Sequence, residues 1–188
     1  MNLLTKISVK EYLEQEAKAE YKSEYHAGEI KAMAGASRNH NVLVANLLKK
    51  IGLCLENKNC LVFPSDMLVK LPFCDKYVYP DLIIACGEEK YEKHHGLDVL
   101  LNPTIVIEVL SESTANYDSN EKMECYFTLE SLQEYWLADS ERISVKGYKR
   151  LPNNDWALHI TKNLEEKVQI GECELLLKDI YLKTNLLA

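Results

Sequence analysis

Two carboxylates stand in stretches of sequence that are otherwise apolar. Asp81 lies in the run YVYPDLIIAC, and Glu108 lies in PTIVIEVLS. Runs of this kind are typical of buried β-strands. Because an unpaired carboxylate is costly to bury, each acid needs hydrogen-bond donors, an ion pair or a bound cation. If the two strands are neighbours, the two acids repel each other unless a divalent cation lies between them.

A purely structural interpretation of each acid stays open at this stage. Asp81 or Glu108 could lie at an exposed strand end, or could be satisfied by an amide at a helix terminus or by a lysine or arginine. Two acids on consecutive apolar strands make this interpretation less favoured, since adjacent strands bring them together.

The elements that must position these acids follow from hydrophobic periodicity. Ser8 and Glu11 form a capping box, which predicts a helix over 9–19. The stretch 25–34 predicts an extended segment or a hairpin arm. Ser37 caps a longer amphipathic helix, in which apolar residues recur every three or four positions.

Three β-rich runs follow this helix, at 60–71, 77–86 and 104–110. We predict that they are adjacent strands of a central sheet and that the Ser37 helix packs on one face. The charged segment 87–102 between the second and third runs predicts a surface loop.

The C-terminal half continues the alternation of helices and strands. Asp118, Ser119 and Asn120 are candidate N-caps of a further helix, and a strand is predicted at 134–138. From residue 143 onward the pattern alternates like an antiparallel meander. The order of elements predicts one α/β (α+β) domain over residues 1–188, with a mixed central sheet flanked by helices and a C-terminal antiparallel meander.

Composition and charge exclude several classes of protein. The chain has 188 residues, of which 47% are hydrophobic and 27% charged, so it can bury a sizeable core. It has no apolar run long enough to span a bilayer, so we expect a soluble chain without a membrane partner. The net charge of −7 would repel a nucleic-acid backbone, so any such binding must be local or assisted by a metal.

The N-terminal stretch and the cysteines bear on the cellular compartment. The start MNLLTKISVKEYL lacks the apolar region of a signal peptide, so we expect a cytoplasmic protein. The six cysteines form no CxxC pair and no zinc-finger spacing. This argues against a disulfide framework and against a structural zinc site, and predicts that most cysteines are small buried apolar residues.

Several strings of residues resemble a known family. They are HAGEIKAMAGAS, RNHN, PSDM, YPDL, IEVLSESTANYDSNEKMECY and LQEYWLAD, which together span roughly residues 8–145. The chain closely resembles the Uma-two family of restriction endonucleases, within the PD-(D/E)xK nuclease superfamily. The resemblance implies a restriction-endonuclease-like fold and a Mg²⁺- or Mn²⁺-dependent endonuclease that hydrolyses phosphodiester bonds of DNA, with RNA as the other substrate class.

One position departs from the general nuclease motif. Two residues after Glu108, where the motif has lysine, this chain has Leu110. The family places its lysine in the following helix, and Lys122 fits that migrated position. The resemblance therefore implies Asp81, Glu108 and Lys122 as the catalytic set, with His40 and Glu29 facing the same site.

The metal ligands can be argued from chemistry. Asp81, Glu108 and the Val109 carbonyl would supply the oxygen ligands that Mg²⁺ prefers. Such an ion activates water and stabilises charge on the phosphate, while Lys122 supplies a positive donor.

Alternatives to the catalytic interpretation stay open. Lys122 could be a solvated first-turn lysine, His40 a surface or core histidine, and Glu29 a turn residue beside Gly28. The chain could also be a catalytically inactive nucleic-acid- or protein-binding module that retains the nuclease fold, in keeping with its acidic balance. If it cuts both strands of DNA, a homodimer would supply the two active sites.

Overall fold

The computed structural model of the protein describes residues 6–94, 96–112 and 114–187. The first five residues of the stretch used in the signal-peptide argument lie outside these ranges. The α-helices within them are α1 (Val9–Glu16), α2 (Arg38–Leu55), α3 (Ala115–Asp118), α4 (Glu121–Phe127) and α5 (Leu177–Ile180). None of these helices is both long and apolar enough to cross a lipid bilayer.

The strands form two large mixed sheets and one separate hairpin. The strands are β1 (Ser23–His26), β2 (Glu29–Ala32), β3 (Cys60–Pro64), β4 (Leu68–Leu71), β5 (Lys76–Val78), β6 (Leu82–Cys86), β7 (Tyr91–His94), β8 (Leu97–Leu100), β9 (Ile105–Leu110), β10 (Glu134–Asp139), β11 (Val145–Arg150), β12 (Trp156–Thr161), β13 (Lys167–Ile170) and β14 (Cys173–Leu176). The central sheet has the order β12-β11-β10-β9-β6-β3, and the second sheet has the order β2-β1-β5-β4-β8-β7. Strands β13 and β14 pair only with each other among the described strands.

Helix α2 packs on one face of the central sheet, as the sequence predicted. Its apolar stripe, from Leu43 to Leu55, joins residues of β6 and β9 in one buried cluster. Each fully buried leucine or isoleucine contributes about 1.5–3 kcal/mol. Along β9 the residues alternate between this cluster and the opposite face, where Val106 and Leu110 pack under α4. Glu108 shares that opposite face, so the fold aims it away from α2.

Two of the three predicted strand runs are each split between the sheets, which corrects the sequence prediction. The run 60–71 breaks at the turn of Ser65 and Asp66, and its halves are β3 and β4. The run 77–86 breaks at Pro80, whose ring leaves no backbone N–H for a ladder, and its halves are β5 and β6. Of the three predicted runs, only the parts that form β3, β6 and β9 lie side by side in the central sheet.

The segment 87–102 is not the predicted surface loop. It contains the antiparallel hairpin of β7 and β8, which forms the edge of the second sheet. Val99 and Leu100 are fully buried there and anchor the hairpin. The charged residues that suggested a loop are typical of an edge strand, where charge discourages further strand pairing. His95, in the same segment, lies outside the described residues.

The strands of the predicted C-terminal meander are divided between the central sheet and a separate hairpin. Strands β11 and β12 extend the central sheet in antiparallel order, and β13 and β14 form the separate hairpin. Helix α4 begins after Asn120, but the Asn120 side chain donates to Asn116 rather than capping the helix. Asp118 belongs to α3, so its carboxylate is free for another role.

The prediction against disulfide bonds is wrong for this structure. Three pairs are bonded, Cys54–Cys173, Cys60–Cys86 and Cys74–Cys125. The partners are 119, 26 and 51 residues apart. Short-range spacing carries no information about pairs that tertiary contacts create, which is why the sequence argument failed.

Candidate active site

Asp81 and Glu108 meet at the junction of β6 and β9. The antiparallel register pairs Leu82 with Ile107. Asp81 precedes Leu82 and Glu108 follows Ile107, so the two acids are neighbours across the strands. The Asp81 amide donates to Glu108 Oε2 at 3.4 Å, and the Val109 amide donates to Asp81 Oδ2 at 2.7 Å. The predicted adjacency of the two acids is confirmed.

Helix α4 brings Lys122 onto this pair. The Lys122 Nζ lies 2.9 Å from Glu108 Oε1, and only 5% of the Lys122 side chain is exposed. This close approach is a buried ion pair between the ammonium and the carboxylate. The predicted placement of Lys122 beside the acids is therefore confirmed, and its interpretation as a solvated lysine is excluded.

Two further acids enclose the lysine, and the sequence argument missed both. Lys122 Nζ lies 3.4 Å from Glu24 Oε1 and 3.6 Å from Asp118 Oδ1. Glu24, in β1, also accepts the Tyr79 amide at 3.0 Å and pairs with His26 at 3.0 Å. The spacing of four residues between Asp118 and Lys122 was a usable signal, because side chains four residues apart come close where the chain is helical or nearly so, as it is from α3 into α4. The only indication for Glu24 would have been its position in a strand whose residues are mostly buried.

His40 reaches the site from the first turn of α2. The Ser37 hydroxyl accepts the His40 amide at 3.2 Å and so starts the helix at this point. His40 Nε2 lies 3.1 Å from Asp81 Oδ1. Burial lowers the pKa of His40, but the hydrogen bond and charge of Asp81 and the Val109 carbonyl raise it by more, so it lies above its ordinary value.

Glu29 does not face the site, contrary to the expectation from the resemblance. It is exposed at the first position of β2, across from His26. It is absent from the described residues that line the cleft. The hairpin turn ends the strand pair here and leaves Glu29 in solvent, while Glu24, further along β1, occupies the site.

The charges at this site are strongly coupled. Burial raises the pKa of Glu108 well above its ordinary value, and the charges of Asp118 and Asp81 add to this against the opposing effect of Lys122. Burial lowers the pKa of Lys122, but Glu108, Glu24 and Asp118 more than offset this and raise it well above its ordinary value. Burial also raises the pKa of Glu24, yet Lys122, His26 and the Tyr79 amide lower it to about 2. Lys122 is therefore held as an ammonium ion, and a further cation beside Glu108 would favour the charged form of this acid.

A cleft of about 1210 Å³ opens over these residues. Among the described residues, eight acidic side chains and three lysines line it. Its lining is therefore acidic, and it needs added positive charge before a polyanion can enter.

The described side chains alone do not supply enough ligands at this site for a hard divalent cation. Among the described residues, no group of three or more His, Cys, Asp and Glu side chains is arranged to hold a metal ion. The chemistry of the set still fits, because Asp81, Glu108 and the Val109 carbonyl are all oxygen donors at adjacent strand positions. Burial and the neighbouring acids raise the pKa of Glu108 against the opposing effect of Lys122, so a divalent cation beside it would favour its charged form.

The fold and the family agree on the class of protein. The structure is similar to a crystal structure of a putative nuclease of the DUF820 group from Anabaena variabilis, with a TM-score of 0.75 and 18% identity, over 93% of this chain and 97% of that one. The chain therefore has the mixed α/β, restriction-endonuclease-like fold of that structure. The profile of the Uma2 family, described as "Putative restriction endonuclease", matches residues 9–180, and the chain belongs to this family.

Two relatives come from Synechocystis sp. The uncharacterized protein sll1609 is 37% identical over 164 residues, which are 87% of this chain and 91% of that protein. The uncharacterized protein slr1290 is 31% identical over 153 residues, which are 81% of this chain and 79% of that protein.

Proposed function

We propose that this protein is a divalent-metal-dependent endonuclease that hydrolyses phosphodiester bonds of DNA. One observation carries the proposal: Asp81 and Glu108 meet at the junction of two central strands, and a buried lysine lies 2.9 Å from Glu108. Two acids with an ammonium group are the constituents of a hydrolytic phosphodiester site. Membership of the Uma2 family supports the same reaction class.

The metal of this proposal is Mg²⁺ or Mn²⁺. Asp81, Glu108 and the Val109 carbonyl would hold it, with waters completing the coordination. Such a cation supplies Lewis acidity, which lowers the pKa of water and offsets the charge that develops on the phosphate.

Lys122 has the role of a fixed charged donor. Its raised pKa keeps it protonated, so it cannot act as a general base at neutral pH. Because Glu24 and Asp118 also contact it, at 3.4 and 3.6 Å, its ammonium is held in one place beside Glu108. A preorganised cation of this kind stabilises negative charge on a phosphate oxygen.

His40 positions Asp81 in this scheme. Its Nε2 contacts Asp81 Oδ1, while the Val109 amide holds Oδ2, so both oxygens of the carboxylate are fixed.

A second candidate is a binding module that has kept the nuclease fold without activity. The acidic lining of the cleft favours it, as does the enclosure of Lys122 by three carboxylates. A fully paired lysine has less charge to offer a phosphate.

A cleavage panel separates the two candidates. Supercoiled plasmid, single-stranded DNA and RNA are incubated with the protein in Mg²⁺, Mn²⁺ or a chelator. Asp66→Asn is the matched control for Asp81→Asn, because Asp66 lines the same cleft but its carboxylate is exposed and pairs with Lys22. We expect metal-dependent cutting of DNA by the wild type and by Asp66→Asn only. If the wild type cuts none of the three, the binding module is the better account.

The products of the cleavage panel also test whether the protein acts as a homodimer. Cutting both strands in one event takes two sites, so we propose a homodimer on DNA. Linear product without a nicked intermediate, together with a dimer mass in light scattering, would support this. Nicked product from a monomer would exclude it.

A further inference from the structure

A second recess adjoins the cleft on the same face of the central sheet. We call it the lysine recess; it measures about 260 Å³ and its polar lining includes Asn116, Ser119, Asn120, Asp139, Arg142 and Lys146. Leu110 and Ala115 also line it, and their chain neighbours Val109 and Thr114 line the cleft. The two cavities are therefore separated only by the chain around β9 and α3.

The strand register ties the recess to the candidate active site. Glu108 pairs with Leu137 of β10, and Leu137 pairs with Lys146 of β11. Directly paired residues share one face of a sheet, so Lys146 and Glu108 lie in one row. Two strand spacings of about 4.8 Å put their backbones about 10 Å apart.

Lys146 differs from the other lysines in its surroundings. Within residues 6–94, 96–112 and 114–187, it is the only partly buried lysine whose side chain has no ion pair, no hydrogen bond and no aromatic contact. The nearby acid Asp139 is already paired with Arg142, Nε to Oδ2, at 2.6 Å. Lys146 therefore brings uncompensated positive charge into the recess. A partly desolvated ammonium without a partner is unfavourable, and an anion would relieve it.

We propose that the lysine recess binds a backbone phosphate of the DNA substrate, close to the bond that is cut. This inference rests on the proposed nuclease function and names a contact outside its catalytic set. The backbones of Lys146 and Glu108 are about 10 Å apart, two strand spacings, so a phosphate in the recess lies close along the strand to one at the candidate active site. Asn116 and Ser119 add an amide and a hydroxyl, which are common phosphate donors.

The acidic cleft explains why such a contact is needed. Its three lysines include Lys122, which is enclosed by acids, and Lys22, which is paired with Asp66. Phosphate contacts provide most of the non-specific affinity for DNA. A cation beside the cleft can supply this attraction without disturbing the acids that hold the metal.

The test measures DNA binding as a function of salt. Lys146→Gln is made in an Asp81→Asn background, which blocks cleavage, and binding of a short labelled duplex is followed by fluorescence anisotropy. Lys162→Gln is the matched control, because Lys162 is exposed and lines neither cavity. The loss of one phosphate contact reduces the slope of log K against log salt by about 0.9. We expect this reduction for Lys146→Gln, and an unchanged slope for Lys162→Gln.

The outcomes separate this inference from the proposed function. An unchanged slope in Lys146→Gln, or no binding of the duplex by any of the proteins, would overturn the inference. Cleavage of plasmid by the wild type would leave the proposed function standing in either case. A second arm uses inorganic phosphate: if it raises the melting temperature of the wild type but not of Lys146→Gln, and the duplex slope is unchanged, the recess binds free phosphate and the backbone assignment is wrong.

Discussion

At the scale of single residues, Lys122 has two functions that pull in different directions. It neutralises three buried or nearly buried acids, and it is the proposed donor to the phosphate. Replacing it by methionine should reduce the rate of DNA cleavage at least ~100-fold, the scale of losing one preorganised donor. The same change leaves the acids without their partner and should lower the free energy of unfolding by about 3–5 kcal/mol.

Stability and activity can be separated with a second buried lysine. Lys76 is also buried, but its partner Glu121 is largely exposed. We expect Lys76→Met to retain the wild-type cleavage rate, measured by single turnover well below the melting temperature of each variant. Folded Lys122→Met that cuts at the wild-type rate would contradict the role assigned to Lys122.

The pKa of Glu24 gives a prediction at acid pH. Because its folded pKa is about 2, below the ordinary value of 4.5, its charge stabilises the fold above pH 4.5. This contribution, about 3 kcal/mol, should be lost as the pH falls from 4.5 to 2. Denaturant unfolding across this range should give a shallower pH dependence for Glu24→Gln than for the wild type. The same pH dependence of the free energy of unfolding in both proteins would show that Lys122 does not stabilise the charged form of Glu24.

The sequence identified some of these residues and not others for a physical reason. Asp81 and Glu108 are conspicuous because acids are costly inside apolar strands, and that cost can be recognised without a structure. Glu24 is buried only because β1 pairs with β5 and α4 covers it, which no local pattern contains. Glu29 was preferred in its place because it belongs to the string that resembles the family.

At the scale of elements, the pairing of β10 and β11 depends on a glycine. A Cβ at Gly147 would come within 2.3 Å of the Trp136 ring, which packs over it from the neighbouring strand. Gly147→Ala should therefore reduce the free energy of unfolding by about 1–3 kcal/mol through overpacking.

Helix α2 offers the matched control. A Cβ at Gly52 meets nothing within 4 Å, so Gly52→Ala should stabilise the protein by about 0.5–1 kcal/mol through helix propensity. Both changes can be followed by urea denaturation. Equal effects of the two substitutions would contradict the packing described for β10 and β11.

Helices and strands could be predicted where a local sequence signal, such as a cap or an apolar stripe, determines them. The Ser37 cap and the apolar stripe of α2 fix that helix, and the capping box fixes α1. The assignment of strands to sheets was not predictable, because both halves of 77–86 are buried and apolar and only the break at Pro80 separates them. The charged hairpin of β7 and β8 was missed because its stability comes from a partner strand distant in sequence.

At the scale of the whole molecule, the three disulfides connect distant parts of the chain. Cys74–Cys125 joins the second sheet to the helix that carries Lys122, and Cys54–Cys173 joins α2 to the C-terminal hairpin. Reduction should lower the free energy of unfolding by about 2–5 kcal/mol for each bond. A denaturant titration with and without a reductant measures this.

Thiol labelling gives the control for that titration. The oxidised protein should show no reactive thiol after unfolding, and the reduced protein should show all six. Labelled thiols in the oxidised protein would contradict the pairing. A reducing compartment would favour the reduced form.

The central claim is that Asp81 belongs to a metal-dependent hydrolytic site. The most direct measurement is the single-turnover rate of plasmid cleavage in Mg²⁺ for wild type, Asp81→Asn and the control Asp66→Asn. The substitution keeps the oxygen that accepts the Val109 amide but removes the charge that holds a cation. We predict a loss of at least ~100-fold for Asp81→Asn alone. Equal rates in wild type and Asp81→Asn, or cleavage that persists in a chelator, would contradict the account.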